Sequence, residues 1–235
     1  MDAGPGKGDL LAKVRDWIEK QGYPLEMRAA KVFLDAGFSV IQSESYPDPE
    51  TGKPREIDLS SLMFDVRQTY STVLSFAVEC KSTKAKPWIV LCSTGEDSSI
   101  FSMAYHAASK PGRSVLWSLT WNSAAPALSI FQLSKRKGYG ITAAFKERQM
   151  DQDAAFAACH SCTNAAAALV RSREGFAVPG YPSCHVVLPL VVVDGPLFEC
   201  YLDHSGEIAI APVEESTLLW RNVVQREYPL SPSAC

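Results

Sequence analysis

Apolar and polar positions along the chain follow two periods, and the places where the period changes mark its elements. From Leu10, apolar residues recur at Leu11, Val14, Trp17 and Ile18, the spacing of an amphipathic helix that Gly22 stops. Pro24 opens a second helix and Gly37 ends it, with Ala30, Phe33 and Leu34 as its buried stripe and Leu25 and Met27 at the edges. Strand-like alternation then takes over at Phe38–Ser45, Arg55–Val66 and Thr72–Lys81, followed by an apolar run at Pro87–Ser93. The turn-rich stretch Tyr46–Pro54 reads as a hairpin loop and residues 94–99 as polar loop. Residues 100–121 fit a short helix followed by a strand over Ser114–Trp121. Ile130–Leu133 is a brief apolar piece, and Lys135–Gly140 reads as a basic loop. The Ala-rich, breaker-free stretch Phe145–Arg173 predicts a long helix, and Gly175–Pro182 a loop. Three strands follow at His185–Val193, Leu197–Asp203 and Glu207–Ala211, with turns at Asp194-Gly195 and His204-Ser205-Gly206, then a last short helix at Thr217–Gln225.

Helices and strands mixed along 235 residues, with no internal repeat, predict one α/β domain over residues 10–235 behind a flexible, Gly-rich terminus at residues 1–9. The glycines of that terminus are in the wrong order for a phosphate loop. A hydrophobic share of 46% excludes disorder, and the net charge of -3 excludes a strongly cationic coat for nucleic acid, though not a local basic channel. No signal-peptide h-region is visible, and the most apolar run, Val186–Phe198, is too short and too interrupted to span a bilayer. Seven scattered cysteines read as reduced thiols, so a cytoplasmic protein without membrane contact is expected.

The chemistry concentrates in the third strand. Side chains of a strand alternate between faces, so Leu74, Phe76, Val78 and Cys80 share an apolar face while Ser75, Ala77, Glu79 and Lys81 share the other. An acid and a base thus project side by side at the strand's end. Asp58 lies in the preceding strand and approaches Glu79 if the two strands are neighbours. Two close carboxylates repel unless a proton or cation sits between them, and hard oxygen ligands select Mg²⁺ or Mn²⁺. The backbone carbonyl of Cys80 offers a further oxygen, and Glu26, on the helix before the first strand, a further carboxylate. Lys81 beside a metal can orient or deprotonate a water or steady a phosphate, which together are the parts of metal-assisted phosphodiester hydrolysis.

The order helix-Glu, strand, turn, Asp, strand, Glu-x-Lys resembles the PD-(D/E)xK nuclease superfamily, of restriction-endonuclease-like fold. Glu26 matches the acid of its first core helix, Asp58 its first strand-borne acid, and Glu79-Cys80-Lys81 its (D/E)-x-K tripeptide. The resemblance covers about residues 20–92, leaving elaborations at 93–144 and a later helix and strands at 145–225. Ile57 stands where the family often has Pro; the literal Pro47-Asp48 makes Asp48 the fallback. The resemblance implies a three-layer core, a mixed central sheet flanked by helices with extra C-terminal strands, to which the helix at 145–173 and the strand at 185–193 contribute. It implies an Mg²⁺- or Mn²⁺-dependent endodeoxyribonuclease acting on DNA, with Asp58 and Glu79 holding the metal, Lys81 positioning the attacking water and Glu26 auxiliary. A homodimer fits cleavage of both strands.

Each residue also has a plainer role. Glu26 can simply favour a helix N-terminus, Asp58 can end a surface turn, and Glu79–Lys81 can be a solvated strand-edge pair. Lys84, Lys86, Lys135, Arg136, Lys137 and Tyr139 can grip a phosphate backbone and stack on a base, or form solvated hairpin tips; Lys110 and Arg113 form a weaker basic spot. Cys159-His160-Ser161-Cys162 lacks the second pair that zinc needs, so buried thiols are expected there. No G-x-S-x-G elbow and no G-x-G-x-x-G occurs. The alternatives to a nuclease are a catalytically inactive domain of the same fold that binds nucleic acid or a protein, and an unrelated α/β domain in which Asp58 and Glu79 lie far apart.

Overall fold

Turn residues at 48–53 and the alternation that follows fold the middle of the chain into a meander. The computed structural model describes residues 7–67, 70–83, 86–93, 107–121, 136–145, 153–173 and 183–220. Helices α1 (Lys7–Glu19) and α2 (Tyr23–Asp35) lead into β1 (Ser39–Pro47), β2 (Pro54–Val66) and β3 (Ser71–Ser82). β4 (Trp88–Cys92), α3 (Lys110–Trp121), β5 (Lys137–Ala143) and α4 (Ala154–Arg173) follow, then β6 (Ser183–Asp194), β7 (Leu197–Leu202), β8 (Ile208–Pro212) and β9 (Thr217–Leu218). The described residues are thus mixed α/β with two mixed sheets.

The first sheet has the order β1-β2-β3-β6. β1 to β3 are antiparallel neighbours, and β6 lies parallel to β3 from Ser71↔Ser183 to Ser82↔Asp194. The long helix and the strand after it therefore do join the sheet. Alternation sorts the side chains of β3 as the sequence predicts. Val78 and Cys80 pack with Leu59 against Ala29 and Ala30 of α2, and Ala77 packs with Ile57 and Val187 against Ala165, Ala166 and Leu169 of α4. The sheet is the middle layer, with α2 and α3 on one face and α4 on the other. Burial of these aliphatic side chains stabilises the layers at about 25 cal/mol per Å² of apolar surface.

The second sheet, β8-β7-β4-β5-β9, extends the first. β3 and β6 leave the first sheet together and re-form as a parallel pair, β4 and β7, starting at Trp88↔Leu197. Backbone bonds from Thr83 to the Asp194 carbonyl and from Trp88 to the Pro196 carbonyl, each 2.9 Å, bridge the break. Gly195 is required at this crossing: a Cβ there would lie 2.3 Å from Oγ1 of Thr83 and 2.9 Å from its backbone. Asp194-Gly195 is therefore a passage between sheets rather than a hairpin turn, while β7 and β8 do form a hairpin around residues 203–207. β4, expected inside the motif-bearing core, belongs to this second sheet.

Several expectations are corrected. Ser114–Trp121 is helix, not strand. Ser109 caps it by accepting the Gly112 N–H at 3.2 Å, and Leu116 faces Cys184 and Val186. Lys137–Gly140 belongs to strand β5, not a loop, and Thr217–Leu218 pairs with it instead of starting a helix. Among the described residues α4 begins at Ala154, where Asp153 accepts the N–H groups of Ala155 and Phe156 at 3.0 and 3.2 Å. α1 starts at Lys7, within the stretch expected to be flexible, and its stripe (Leu10, Leu11, Val14, Trp17) is exposed, as is Leu34 of α2. The expectations for residues 1–6, 94–106, 130–135, 146–152, 175–182 and 221–225 lie outside the described residues. No described helix is long and apolar enough to cross a membrane.

Candidate functional site

β2 pairs with β3 from Val66↔Ser71 to Leu59↔Val78 and stops there. One residue further, the Asp58 side chain replaces the ladder: its Oδ2 accepts the Cys80 N–H at 2.7 Å. The ends of β2 and β3 thus separate, and Asp58 is drawn to Glu79-Cys80-Lys81 by a charge-assisted bond. Asp58 and Glu79 are close, as the neighbouring strands imply.

Glu79 lies on the α4 face and is 7% exposed. Its Oε1 sits 2.6 Å from Nζ of Lys81, and its Oε2 accepts from Oγ of Ser161 on α4 at 3.1 Å. This is no solvated surface pair. Burial pushes the Glu79 carboxyl above its ordinary range, the Lys81 hydrogen bond opposes that, and the Asp58 charge adds to it. For Lys81, burial works against the ammonium, and the bond to Glu79 with the charges of Glu79 and Asp58 outweighs it, so its pKa rises.

Glu26 occupies the first turn of α2. An acid serving only the helix dipole would be held low. Glu26 is instead raised, by burial first and then by the charge of Asp58, with Glu56 and Glu79 adding and Lys81 opposing. Asp58, Glu56 and Glu79 thus act on Glu26, and among the described residues Lys81 opposes them. Burial, and then the Asp58 charge, push the Cys80 thiol up to about 12, which works against its thiolate.

Two residues escaped sequence reasoning. Glu56 sits two positions before Asp58 on β2, a spacing that could have flagged it. Ser161 carried no signal, because 82 residues separate it from Glu79 and only the packing of α4 joins them. Beside it, the β1–β2 hairpin docks on α4. Tyr46 Oη donates to the Ser161 carbonyl at 3.3 Å, and His160 Nε2 lies 3.3 Å from Oε2 of Glu50.

Asp48 does not join the cluster as fallback. Its Oδ1 accepts the N–H groups of Glu50 and Thr51 at 2.9 and 3.1 Å, and its Oδ2 lies 2.6 Å from Nε of Arg55. Burial raises its pKa, but these bonds and Arg55 outweigh it and hold the carboxyl below its ordinary value. It is a hairpin-turn residue.

The basic positions divide. Arg136 is engaged: its guanidinium lies 3.6 Å over the Tyr201 ring and 3.4 Å from the buried Glu199 carboxylate. Lys86 and Lys137 are half-buried, and Tyr139 on β5 is 65% exposed. Lys84 and Lys135 lie outside the described residues. Cys159 and Cys162 are buried thiols whose sulfurs lie within the α4 packing, as expected; burial pushes Cys159 up to about 12.

Among the described residues, no group of three or more His, Cys, Asp or Glu side chains is placed to hold a metal. The donor set nevertheless fits a hard divalent cation that keeps most of its water. Mg²⁺ is commonly held by one or two carboxylates, and Asp58 and Glu79 supply two. No protein-family model matches the chain, and neither a curated protein nor a solved structure matches it.

Proposed function

We propose that the chain is a metal-dependent nuclease of restriction-endonuclease-like fold that hydrolyses DNA phosphodiester bonds. One observation carries this reading: Asp58 and Glu79-Cys80-Lys81 converge where β2 and β3 separate, with Glu26 in the same field. The order of elements supports it. A helix, an antiparallel meander, a helix and a strand parallel to the third make up the first sheet and its covering layers.

Asp58 and Glu79 would hold Mg²⁺ or Mn²⁺, with the Cys80 carbonyl as a further oxygen and Glu26 as an auxiliary carboxylate. The cation supplies Lewis acidity toward a phosphate oxygen and the attacking water. Lys81, beside Glu79, donates hydrogen bonds that orient that water and steady phosphate charge. Burial first, and neighbouring carboxylates second, raise Glu26 and Glu79, and a cation between carboxylates relieves the repulsive part. Lys86, Lys137 and Tyr139 are the remaining described contacts for a DNA backbone and base, and a homodimer would present two sites to a duplex.

A second reading is a silent domain of this fold that binds nucleic acid or a protein. The lack of a three-ligand cluster among the described residues favours it. Nicking of supercoiled plasmid separates the two. The nuclease nicks in Mg²⁺ or Mn²⁺, stops in EDTA, and slows about a hundredfold or more in Glu79→Gln and Lys81→Ala. A folded wild-type protein that never nicks overturns the nuclease reading in favour of the silent domain. Nicking that survives both substitutions overturns the assignment of Glu79 and Lys81.

A further inference from the structure

The two oxygens of Glu79 have partners of opposite character. Oε1 meets Lys81, a charged group on a flexible stem that remains 37% exposed and can swing toward solvent. Oε2 meets Ser161, a neutral hydroxyl on a short side chain. Its helix is fixed by burial of Cys162, Ala165, Ala166 and Leu169 against Ile57, Ala77 and Val187, and its own carbonyl is held by Tyr46. One partner can leave without disturbing the core and the other cannot.

We propose that Ser161 is a positioning residue for cation binding and that Lys81 is the internal cation a divalent ion must displace from Glu79. This rests on the reading of Asp58 and Glu79 as cation ligands. A divalent ion and an ammonium cannot both sit on Oε1, since like charges at that range repel. Lys81 therefore moves outward as the ion enters, toward where water and phosphate arrive. Ser161 stays on Oε2, carries no charge to repel the ion, and limits the rotation of a carboxylate that would otherwise lose side-chain freedom on binding. Asp58 is held in the same manner by the Cys80 N–H, which is also neutral and also fixed. Each of the two carboxylates thus keeps one neutral anchor, and Glu79 carries in addition a displaceable charge.

The two partners predict opposite signs on one constant. Binding of Mn²⁺ to the full-length chain is read by the loss of the free-ion electron paramagnetic resonance signal, without nucleic acid. Ser161→Ala weakens affinity about fivefold, the effect of one hydrogen bond to a charged group. Ser161→Thr, which keeps the hydroxyl, recovers it. Lys81→Met, which keeps the stem and removes the charge, tightens binding about tenfold. Glu79→Gln abolishes it, and thermal unfolding without metal confirms that each variant is folded. If Glu79→Gln leaves Mn²⁺ binding intact, or the wild type binds none, the underlying site reading fails. If Glu79→Gln abolishes binding while Ser161→Ala changes nothing or Lys81→Met weakens it, the site stands and the displacement proposal is overturned. Failure of Ser161→Thr to recover affinity assigns the alanine effect to packing and overturns the positioning role.

Discussion

Two polar clusters of the first sheet reach α4, one at Arg173 and one at Ser161, twelve residues apart along that helix, or about 18 Å, and they differ in their charge. At the Arg173 end, the guanidinium reaches Glu44 at 2.9 and 3.2 Å, Ser60 at 3.1 Å and Ser75 at 3.2 Å, and Ser75 lies 3.1 Å from His185 Nε2. Ser60 in turn donates to Glu44. One carboxylate meets one guanidinium, and hydroxyls fill the remaining valences. This cluster of paired charges joins β1, β2, β3 and α4, with Nδ1 of His185 buried and without a hydrogen-bond partner among the described residues. At the Ser161 end, Asp58, Glu56 and Glu79 raise Glu26, and among the described residues Lys81 opposes them. The acids there raise one another, as at Glu26 and Glu79. The contrast is between a cluster of paired charges and one of gathered carboxylates, the site of the proposed cation.

Removing Arg173 gives the largest expected effect. Arg173→Ala strands Glu44 and leaves the Ser75 and Ser60 hydroxyls short of a donor. Breaking one side of a buried ion pair costs about 3–5 kcal/mol. Urea unfolding should show that loss as a lower midpoint with an unchanged slope. A loss below about 1 kcal/mol would mean that the cluster behaves as a surface pair, and the contrast would collapse.

His185 tests the same cluster by pH. It is 2% exposed, and burial, with the Arg173 charge second, pushes its pKa down to about 4. In the unfolded chain it titrates near about 6.5. Between these values the unfolded state binds the proton and the folded state does not, so stability falls as pH falls. The loss begins near pH 6.5, is complete below about pH 4, and amounts to about 3 kcal/mol. His185→Gln should flatten this window in a pH series of unfolding midpoints, while an unchanged slope would place the acid sensitivity elsewhere.

How much of this was legible depends on distance along the chain. The β1–β3 meander was readable because Tyr46–Pro54 is dense in turn residues and β3 alternates cleanly, which put Glu79 and Lys81 on one face. Asp58 followed from strand adjacency. The parallel pairing of β3 with β6 spans more than a hundred residues, and only the family resemblance pointed to it. Of the second sheet, the β7–β8 hairpin was legible from its turn and the assembly of the sheet was not. Its pairs β4–β7 and β5–β9 are parallel and carry no local turn signal. Gly138 and Gly140 among basic residues looked like a loop, yet a Cβ at Gly138 would lie 2.3 Å from Val90, so glycine there serves close strand packing. Periodicity did announce α1 as a helix, but a period reports amphipathicity and not what covers it. Ser161, Arg173 and Glu44 were invisible as partners for the same reason as β6: only tertiary packing brings them together.

The smallest expected effect has the opposite sign and sharpens the comparison most. Glu79 is raised above its ordinary pKa, by burial first. A carboxyl whose folded value exceeds its unfolded value gives full stability while protonated and loses it as pH rises through the folded value. At neutral pH the raised Glu79 carboxyl therefore costs the fold stability. Glu79→Gln removes that cost but also the ion pair with Lys81, which is worth about 1 kcal/mol or less because the lysine is half in solvent. The amide oxygen still accepts from Lys81 or Ser161, so the net change is a gain of about 1 kcal/mol, or about 2–4 °C in Tm, measured without metal. Added Mn²⁺ should reverse the ranking, stabilising the wild type by mass action and leaving the variant unmoved. One acid at the Ser161 end thus destabilises the metal-free fold, whereas the cation at the Arg173 end supports it. A Glu79→Gln variant less stable than wild type without metal would show that the Lys81 pair, like the Arg173 pair, serves to build the fold.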